Sequence, residues 1–305
     1  MDSAAAEIVQ TDVAISVKAT TTRDRIAAFL ELTKPRIAFL LVLTAATGFY
    51  VSTTGRVDFL LFLNTVIGIT LLAFGVSTLN QHIERRTDAL MRRTAKRPLP
   101  TQKVTPNEAL AFGALQCVVA EIYLAVLVNP LTAILGVSVI VGYVFLYTPL
   151  KTKTSASTAI GAIPGAMPPL MGWTAAQDEI TIGAWALFAL LFLWQFPHFL
   201  AIAWMYKDDY ARAGIKMLPA VEPNGTVTAR QIVLFTILLV PVSFAPFFLG
   251  FAGVVYLLGA AILGIWFLYE SVSMARARTF ERAKRLLLFS VIYLPLIFAL
   301  LVLDH

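Results

Sequence analysis

Apolar residues come in long unbroken runs along this chain, and polar residues gather between them. Nine runs stand out, at 37–53, 59–80, 108–128, 131–148, 156–176, 182–204, 231–250, 252–270 and 286–303. Each is roughly 17–25 residues long, the length a helix needs to cross about 30 Å of hydrocarbon. The runs are continuous rather than alternating, which argues against barrel strands. A lipid-exposed backbone must also satisfy its own hydrogen bonds, as a helix does within one segment. The pattern predicts an all-α, polytopic membrane protein with about nine transmembrane helices. Ahead of the first run, residues 1–27 are polar and of mixed sign, with Asp2, Glu7, Asp12, Lys18, Arg23, Asp24 and Arg25. They predict a mobile cytoplasmic tail, leaving 28–305 as a single transmembrane domain. No apolar stretch with a cleavage site marks a signal peptide, and the acids of the tail argue against a mitochondrial transit segment. The expected location is a bacterial cytoplasmic (inner) membrane rather than a mitochondrial one.

Charge supplies the orientation. With the N-terminus in the cytoplasm, every basic residue except Arg56 falls in the tail, at the start of helix 1, or in the loops after helices 2, 4, 6 and 8. Cytoplasmic loops carry the excess of Lys and Arg, so the expected topology is N-in, C-out. The two longest of these loops follow helices 2 and 6. One contains Arg97-Pro98-Leu99-Pro100 and then Val104-Thr105; the other contains Lys216-Met217-Leu218-Pro219 and then Val227-Thr228. This echo predicts helices 1–4 and 5–8 as pseudo-repeats, with helix 9 added. Composition agrees: 58% of residues are apolar and 14% charged, against about a quarter charged in a soluble domain. That excludes an ordinary cytosolic enzyme, a disordered chain and a coiled coil. Cys117 is the one cysteine, so the chain has no intrachain disulfide and no Cys cluster for a metal. The net charge of +6 sits in the loops and reads as topology, not as nucleic-acid binding.

Against this background, ionisable groups at helix ends and inside spans mark candidate sites. Asn80, Glu84 and Asp88 recur at i, i+4 and i+8, which keeps them on one helix face. Two carboxylates and an amide oxygen make a hard oxygen surface suited to Mg²⁺, an ion that bridges protein to phosphate. Arg92, Arg93, Lys96 and Arg97 follow at once, and guanidinium forks suit phosphate oxygens. A solvated, salt-bridged helix end fits the same spacing. Tyr206-Lys207-Asp208-Asp209-Tyr210 occupies the matching loop and offers a second acidic patch or an exposed pair. At the end of helix 4, Lys151 is placed to reach a phosphate and Tyr147 to donate to it, or they are a snorkelling lysine and an interfacial tyrosine. Helix 6 carries Trp194-Gln195-Phe196-Pro197-His198. Pro197 predicts a local kink. Gln195 and His198 share a side, and His198 is either a packing residue or a cavity residue able to ligate haem iron. Helix 5, with Gly161, Pro164, Gly165, Pro168 and Pro169, predicts a bent helix closely approached by a neighbouring helix or a flat ligand. Glu270 is placed to pair with a loop arginine; Glu121 has no evident partner.

Four stretches carry a resemblance over about residues 30–303: LTKPRI at 32–37, NQHIERRTDALMRRTAKRPLP at 80–100, YTPLKTKTSASTAIGAIPGAMPPLMGW at 147–173 and WQFPHFLAIAWMYKDDYARAGIKMLP at 194–219. Together they resemble the UbiA-type intramembrane prenyltransferases. The family's first acidic motif usually begins Asn-Asp or Asn-x-x-x-Asp, and its second is a spaced Asp pair. Here Glu84 is the middle carboxylate and the second region reads Lys-Asp-Asp-Tyr, departures that fit the haem-specific branch. The resemblance implies nine spans around a central cavity capped by two cytoplasmic loops. It implies transfer of farnesyl from farnesyl diphosphate to a vinyl group of haem B, with addition of water, giving haem O. Haem B is then a substrate and Mg²⁺ the cofactor. By position, Asn80, Glu84, Asp88 and Asp208, with Asp209 beside them, would hold metal. Arg93, Arg97, Lys151 and Lys207 would contact diphosphate, with Lys34 and Arg36 as second choices. His198, helped by Gln195 and Tyr147, would contact haem, and His82 is its rival. The partners implied are the bilayer, the two substrates and a downstream haem-modifying enzyme. Prenylation of a small aromatic acceptor, a haem carrier or transporter, and a structural subunit of a respiratory complex are the competing readings. A carrier has no need of carboxylates matched to arginines on one face.

Overall fold

The computed structural model describes residues 21–222 and 224–305, and no strand occurs among the described residues. Helix starts follow local sequence. Thr21 caps α1 (Thr22–Leu32) in a reciprocal box with Asp24. Residues 22–27 of the expected tail are thus helical, and residues 1–20 of it lie outside the described residues. α2 (Pro35–Ser52), α4 (Pro106–Leu127) and α5 (Pro130–Leu150) begin on proline, whose missing N–H is one the first turn leaves unpaired anyway. Asp58 caps α3 (Phe59–Leu90), Thr105 caps α4 and Asn129 caps α5. Within α5, Val141–Tyr147 winds as π-helix.

Eight helices among the described residues are long and apolar enough to cross a bilayer: α2, α3, α4, α5, α8 (Ile182–Met205), Thr226–Phe248, α11 (Val254–Ala277) and α12 (Phe280–Leu303). The run expected at 156–176 is two shorter helices, α6 (Ser157–Gly165) and α7 (Met167–Gln177), meeting at Ala166. Pro164, Pro168 and Pro169 remove three amide donors around that joint, which accounts for the break. α8, by contrast, runs through Pro197 as one helix. A six-residue helix, α9 (Lys207–Arg212), follows α8, and α10 (Thr226–Val242) starts the next span.

The helices pack as two apolar clusters. One joins α2, α3, α4 and α5 through Ala45, Ile69, Leu72, Cys117, Leu124 and Ala133. The other gathers α8 with α10, α11 and α12 through Leu187, Ile232, Phe267, Leu286 and Tyr293. α2 and α7 touch backbone to backbone: a Cβ on Gly48 would strike the Pro169 carbonyl, and one on Gly172 the Ala45 carbonyl. Small residues permit that approach where lipid offers no hydrophobic drive to pull helices together. At one end of the bundle the Gly253 amide donates to the Asp304 carbonyl at 2.7 Å, and Tyr50 packs edge-on to His305. At the other end the loops after α3 and α8 meet over a cavity.

Candidate active site

Residues of α2, α3, α5, α6, α8 and α12 line a cavity of about 310 Å³. α3 continues unbroken to Leu90, so Asn80, Glu84 and Asp88 do share one face, and all three line the cavity. Each oxygen donor meets a cation. Asn80 Oδ1 accepts from Lys34 Nζ at 2.8 Å, and Glu84 Oε1 from Lys151 Nζ at 2.6 Å. Both Asp88 oxygens accept from Arg97 Nη1, at 2.9 and 2.8 Å. The Asn80 amide is oriented from behind. Its Nδ2 donates to Thr148 Oγ1 at 3.1 Å, and that hydroxyl donates to the Tyr143 carbonyl at 2.7 Å. Asp88 is 1% exposed, which excludes a solvated helix end.

The cations are unlike one another. Burial, with the Arg97 guanidinium nearby, pushes the Lys34 ammonium down to about 7. Burial also works against the charge on Lys151, but the facing Glu84, then Tyr147 and Tyr143, outweigh it and hold the ammonium well above the usual lysine value. Lys151 Nζ also lies 4.3 Å from the Tyr147 ring centroid.

The second loop folds back onto the first. The Arg93 amide donates to Asp209 Oδ2 at 3.3 Å, Arg93 Nη2 to the Tyr210 hydroxyl at 3.3 Å, and Arg212 Nε to the Leu90 carbonyl at 2.9 Å. The Lys216 amide donates to the Lys151 carbonyl at 2.7 Å. The two segments converge, but the acids of the second do not line the cavity. Asp209 pairs with Arg212 and with the Arg93 amide. Asp208, expected as a metal ligand, is exposed, since adjacent helical residues point about 100° apart. Lys207, expected at the diphosphate, instead lies over the Trp204 ring at 4.7 Å. Arg36 is exposed and lines an outer cleft with Glu31 and Gln81, which adjoins the cavity through the shared Lys34 and Arg97. In place of the acids, this loop brings Tyr210, Ile215 and Met217 to the wall.

Farther in, the wall is apolar and aromatic. His198 lines it, seven residues before the end of α8 at Met205, about 10 Å deeper at 1.5 Å per residue. The Trp194 ring stacks on His198 with centroids 4.6 Å apart. Gln195 also lines the cavity, but its Nε2 is spent on the Ala162 and Leu191 carbonyls at 3.0 and 3.3 Å. His82 does not line the cavity. Two residues beyond Asn80, it is turned about 200° around α3. The close neighbours of α6 are side chains of adjacent helices: Tyr147 fills the notch at Gly161 and Gln195 the notch at Gly165.

Some lining groups escaped the sequence reading. Tyr143 packs edge-on to Tyr147 at 4.9 Å, and the four-residue interval between them was a usable signal. Tyr210 sat inside a motif already singled out, as did Thr148, which holds Asn80 from behind the wall. Glu270 lies 3.5 Å from Arg285, as expected. Glu121 has no hydrogen-bond partner for either oxygen among the described residues and abuts Gly136.

Comparison with known proteins places this arrangement. The model of the UbiA prenyltransferase family matches residues 41–293. A curated relative from Solibacter usitatus, a protoheme IX farnesyltransferase, is 49% identical over 286 residues, 91% of this chain and 98% of the relative. Among solved structures, a digeranylgeranylglyceryl phosphate synthase superposes with a TM-score of 0.77 at 18% identity, covering 92% of this chain and 98% of that one. A UbiA homolog from Archaeoglobus fulgidus, bound to GPP and Mg²⁺, superposes with a TM-score of 0.66 at 16% identity, covering 90% and 99%. A helical bundle whose cavity mouth joins an oxygen-donor stripe to lysine and arginine, together with a family match across most of the chain, leads to one conclusion: this chain belongs to the UbiA prenyltransferase family.

Proposed function

We propose that the protein transfers a farnesyl group from farnesyl diphosphate to a vinyl group of haem B, with addition of water, giving haem O. One observation carries this reading: a single cavity has two unlike ends. Asn80, Glu84 and Asp88 with Lys34, Arg93, Arg97 and Lys151 stand at the mouth, and His198 stands deeper among aromatic and apolar walls. The name of the Solibacter relative supports the same substrates.

The mouth fits Mg²⁺. Asn80, Glu84 and Asp88 are hard oxygen donors on one wall of the cavity, two of them carboxylates. That suits an ion that binds through one or two carboxylates and completes its shell from water and phosphate. Bound there, Mg²⁺ would neutralise charge on the departing diphosphate. Lys34, Arg93, Arg97 and Lys151 supply the remaining positive charge, fixed in place before the C1–O bond breaks and its electron pair leaves with the diphosphate. Tyr143, Tyr147, Trp194 and Phe199 line the way inward. Their faces favour the allylic cation and shield it from water until the vinyl group adds. Water then takes up the positive charge left on the substituent and loses a proton. His198 holds the haem by its iron. The test is incubation of the purified protein with haem B and farnesyl diphosphate, with Mg²⁺ or with chelator, followed by mass analysis of the haem. A gain of farnesyl plus water that depends on Mg²⁺ is expected; unchanged haem B in both arms would end the proposal.

Two further outcomes follow from this reading. The ligand-free Lys34 ammonium loses its proton as pH rises through about 7. A diphosphate beside it favours the charged form, so binding at pH 8 takes up a proton. Calorimetry in buffers of different ionisation enthalpy will detect that uptake, and Lys34→Met will abolish it. The topology is N-in, C-out in the bacterial inner membrane, with the charged mouth facing the cytoplasm. A reporter fused after His305 will therefore read outside the cytoplasm.

A further inference from the structure

α12 lends the cavity wall Val291 and Leu294, and one of its hydroxyls, on Ser290, reaches His198 behind that wall. Ser290 Oγ lies 2.7 Å from the Leu287 carbonyl oxygen and 2.8 Å from His198 Nδ1. A carbonyl oxygen only accepts, so the one arrangement that puts a hydrogen in both short contacts sends the single hydroxyl hydrogen of Ser290 to Leu287. Oγ then has only lone pairs to offer the imidazole, and Nδ1 must carry the proton. In a neutral ring that leaves Nε2 bare. No hydrogen bond links Nε2 to the protein among the described residues, while the ring lines the cavity. The ring plane is held from the same place: Trp194 stacks on it at an interplanar angle of 21°, and Trp194 Nε1 donates to the Ser290 carbonyl at 2.9 Å. One residue of α12 thus sets both the proton and the plane of His198.

We infer that Ser290 is a positioning residue for the acceptor: it fixes His198 in the Nδ1–H tautomer and turns the Nε2 lone pair toward the iron of a haem substrate. The tautomer stands on hydrogen-bond geometry alone; what Nε2 binds rests on the proposed haem reading. A ligating histidine whose other nitrogen is hydrogen-bonded is both oriented and more basic. Ser290→Ala removes the hydroxyl but keeps the backbone carbonyl that anchors Trp194, so the variant isolates the effect on the imidazole.

Two measurements test the inference. In ¹⁵N-histidine-labelled protein without haem, the His198 ring, identified by its loss in His198→Ala, should show a protonated Nδ1 and a bare Nε2. Ser290→Ala should mix or reverse the tautomers, and Ser290→Thr should restore them. A wild-type ring protonated at Nε2, or a ring unmoved by Ser290→Ala, overturns the inference. Titration with haem B, followed by the Soret band and by the iron–histidine stretch of the reduced complex, tests the second half. His198→Ala should lose the histidine-ligated spectrum. Ser290→Ala should bind about 10–100-fold more weakly with a lowered stretching frequency, and Ser290→Thr should recover both. If His198→Ala keeps the wild-type spectrum, the haem assignment of His198 fails, and with it the role of Nε2; the tautomer is still judged by its own measurement. If His198→Ala loses the spectrum while Ser290→Ala keeps wild-type affinity and frequency, the positioning role is overturned.

Discussion

Asp88→Asn will lower turnover about a thousandfold, a loss of roughly 4 kcal/mol of transition-state stabilisation at 1.36 kcal/mol per decade. Asp88 is 1% exposed, and both of its oxygens are engaged by Arg97. Asparagine keeps the shape and one acceptor but removes the negative charge. The site then loses a carboxylate charge facing the metal, and Arg97 is no longer balanced before the diphosphate arrives. The Arg97 side chain is 22% exposed and stays wetted, so the folded protein tolerates the change far better than the reaction does. The Thr94 hydroxyl still donates to the backbone carbonyl of residue 88. The checks are initial rates of the purified variant at saturating substrates and a melting curve in the same detergent. A normally melting variant with near wild-type turnover would remove the α3 stripe from the mechanism.

Lys151→Met should damage folding as well as catalysis, and a second substitution should separate the two. Lys151 and Glu84 are 15% and 11% exposed and 2.6 Å apart. Removing one partner of a pair this buried leaves an uncompensated charge, at a cost of about 3–5 kcal/mol. Methionine fills the lysine's volume, so the loss reports charge rather than packing. Adding Glu84→Gln neutralises the stranded carboxylate and should recover most of the stability. Turnover should stay at least a hundredfold down, because one cation of the diphosphate clamp and one carboxylate charge facing the metal are then both missing. Unfolding in denaturant and single-turnover rates on the two singles and the double complete the cycle. Equal recovery of stability and rate in the double variant would make the pair structural.

The parts of the site that could be read in the chain were those set by helical period. Asn80, Glu84 and Asp88 lie one turn apart on a helix that does not break, so their common face followed from spacing alone. The Arg97 and Lys151 neighbourhoods followed from charges clustered at the ends of spans. Prediction failed where a short element or a rotation decided the direction. Asp208 and Asp209 are adjacent on a six-residue helix, and nothing in the sequence says which of them turns inward; neither does. His82 looked plausible beside Asn80, but two residues of helix carry it to the far side. Ser290 carried a weak signal, one of two hydroxyls, with Tyr293, in an apolar span. Its role depends on α12 lying against α8, a contact between residues 92 apart in the chain.

The apolar runs and the charged loops were enough to establish a helical membrane protein, the approximate bounds of its spans, and the polar residues out of place in lipid. That information is local: hydrocarbon thickness fixes helix length, and the cost of exposed backbone leaves few other solutions. Which groups face the cavity, which acids hold cations, and which nitrogen of His198 is bare were settled by packing across the bundle. Those properties depend on how α2, α3, α5, α8 and α12 rotate and approach one another. Such rotations are set by small-residue contacts, a π-helical turn in α5 and the proline-broken joint at Ala166, none of which local periodicity encodes.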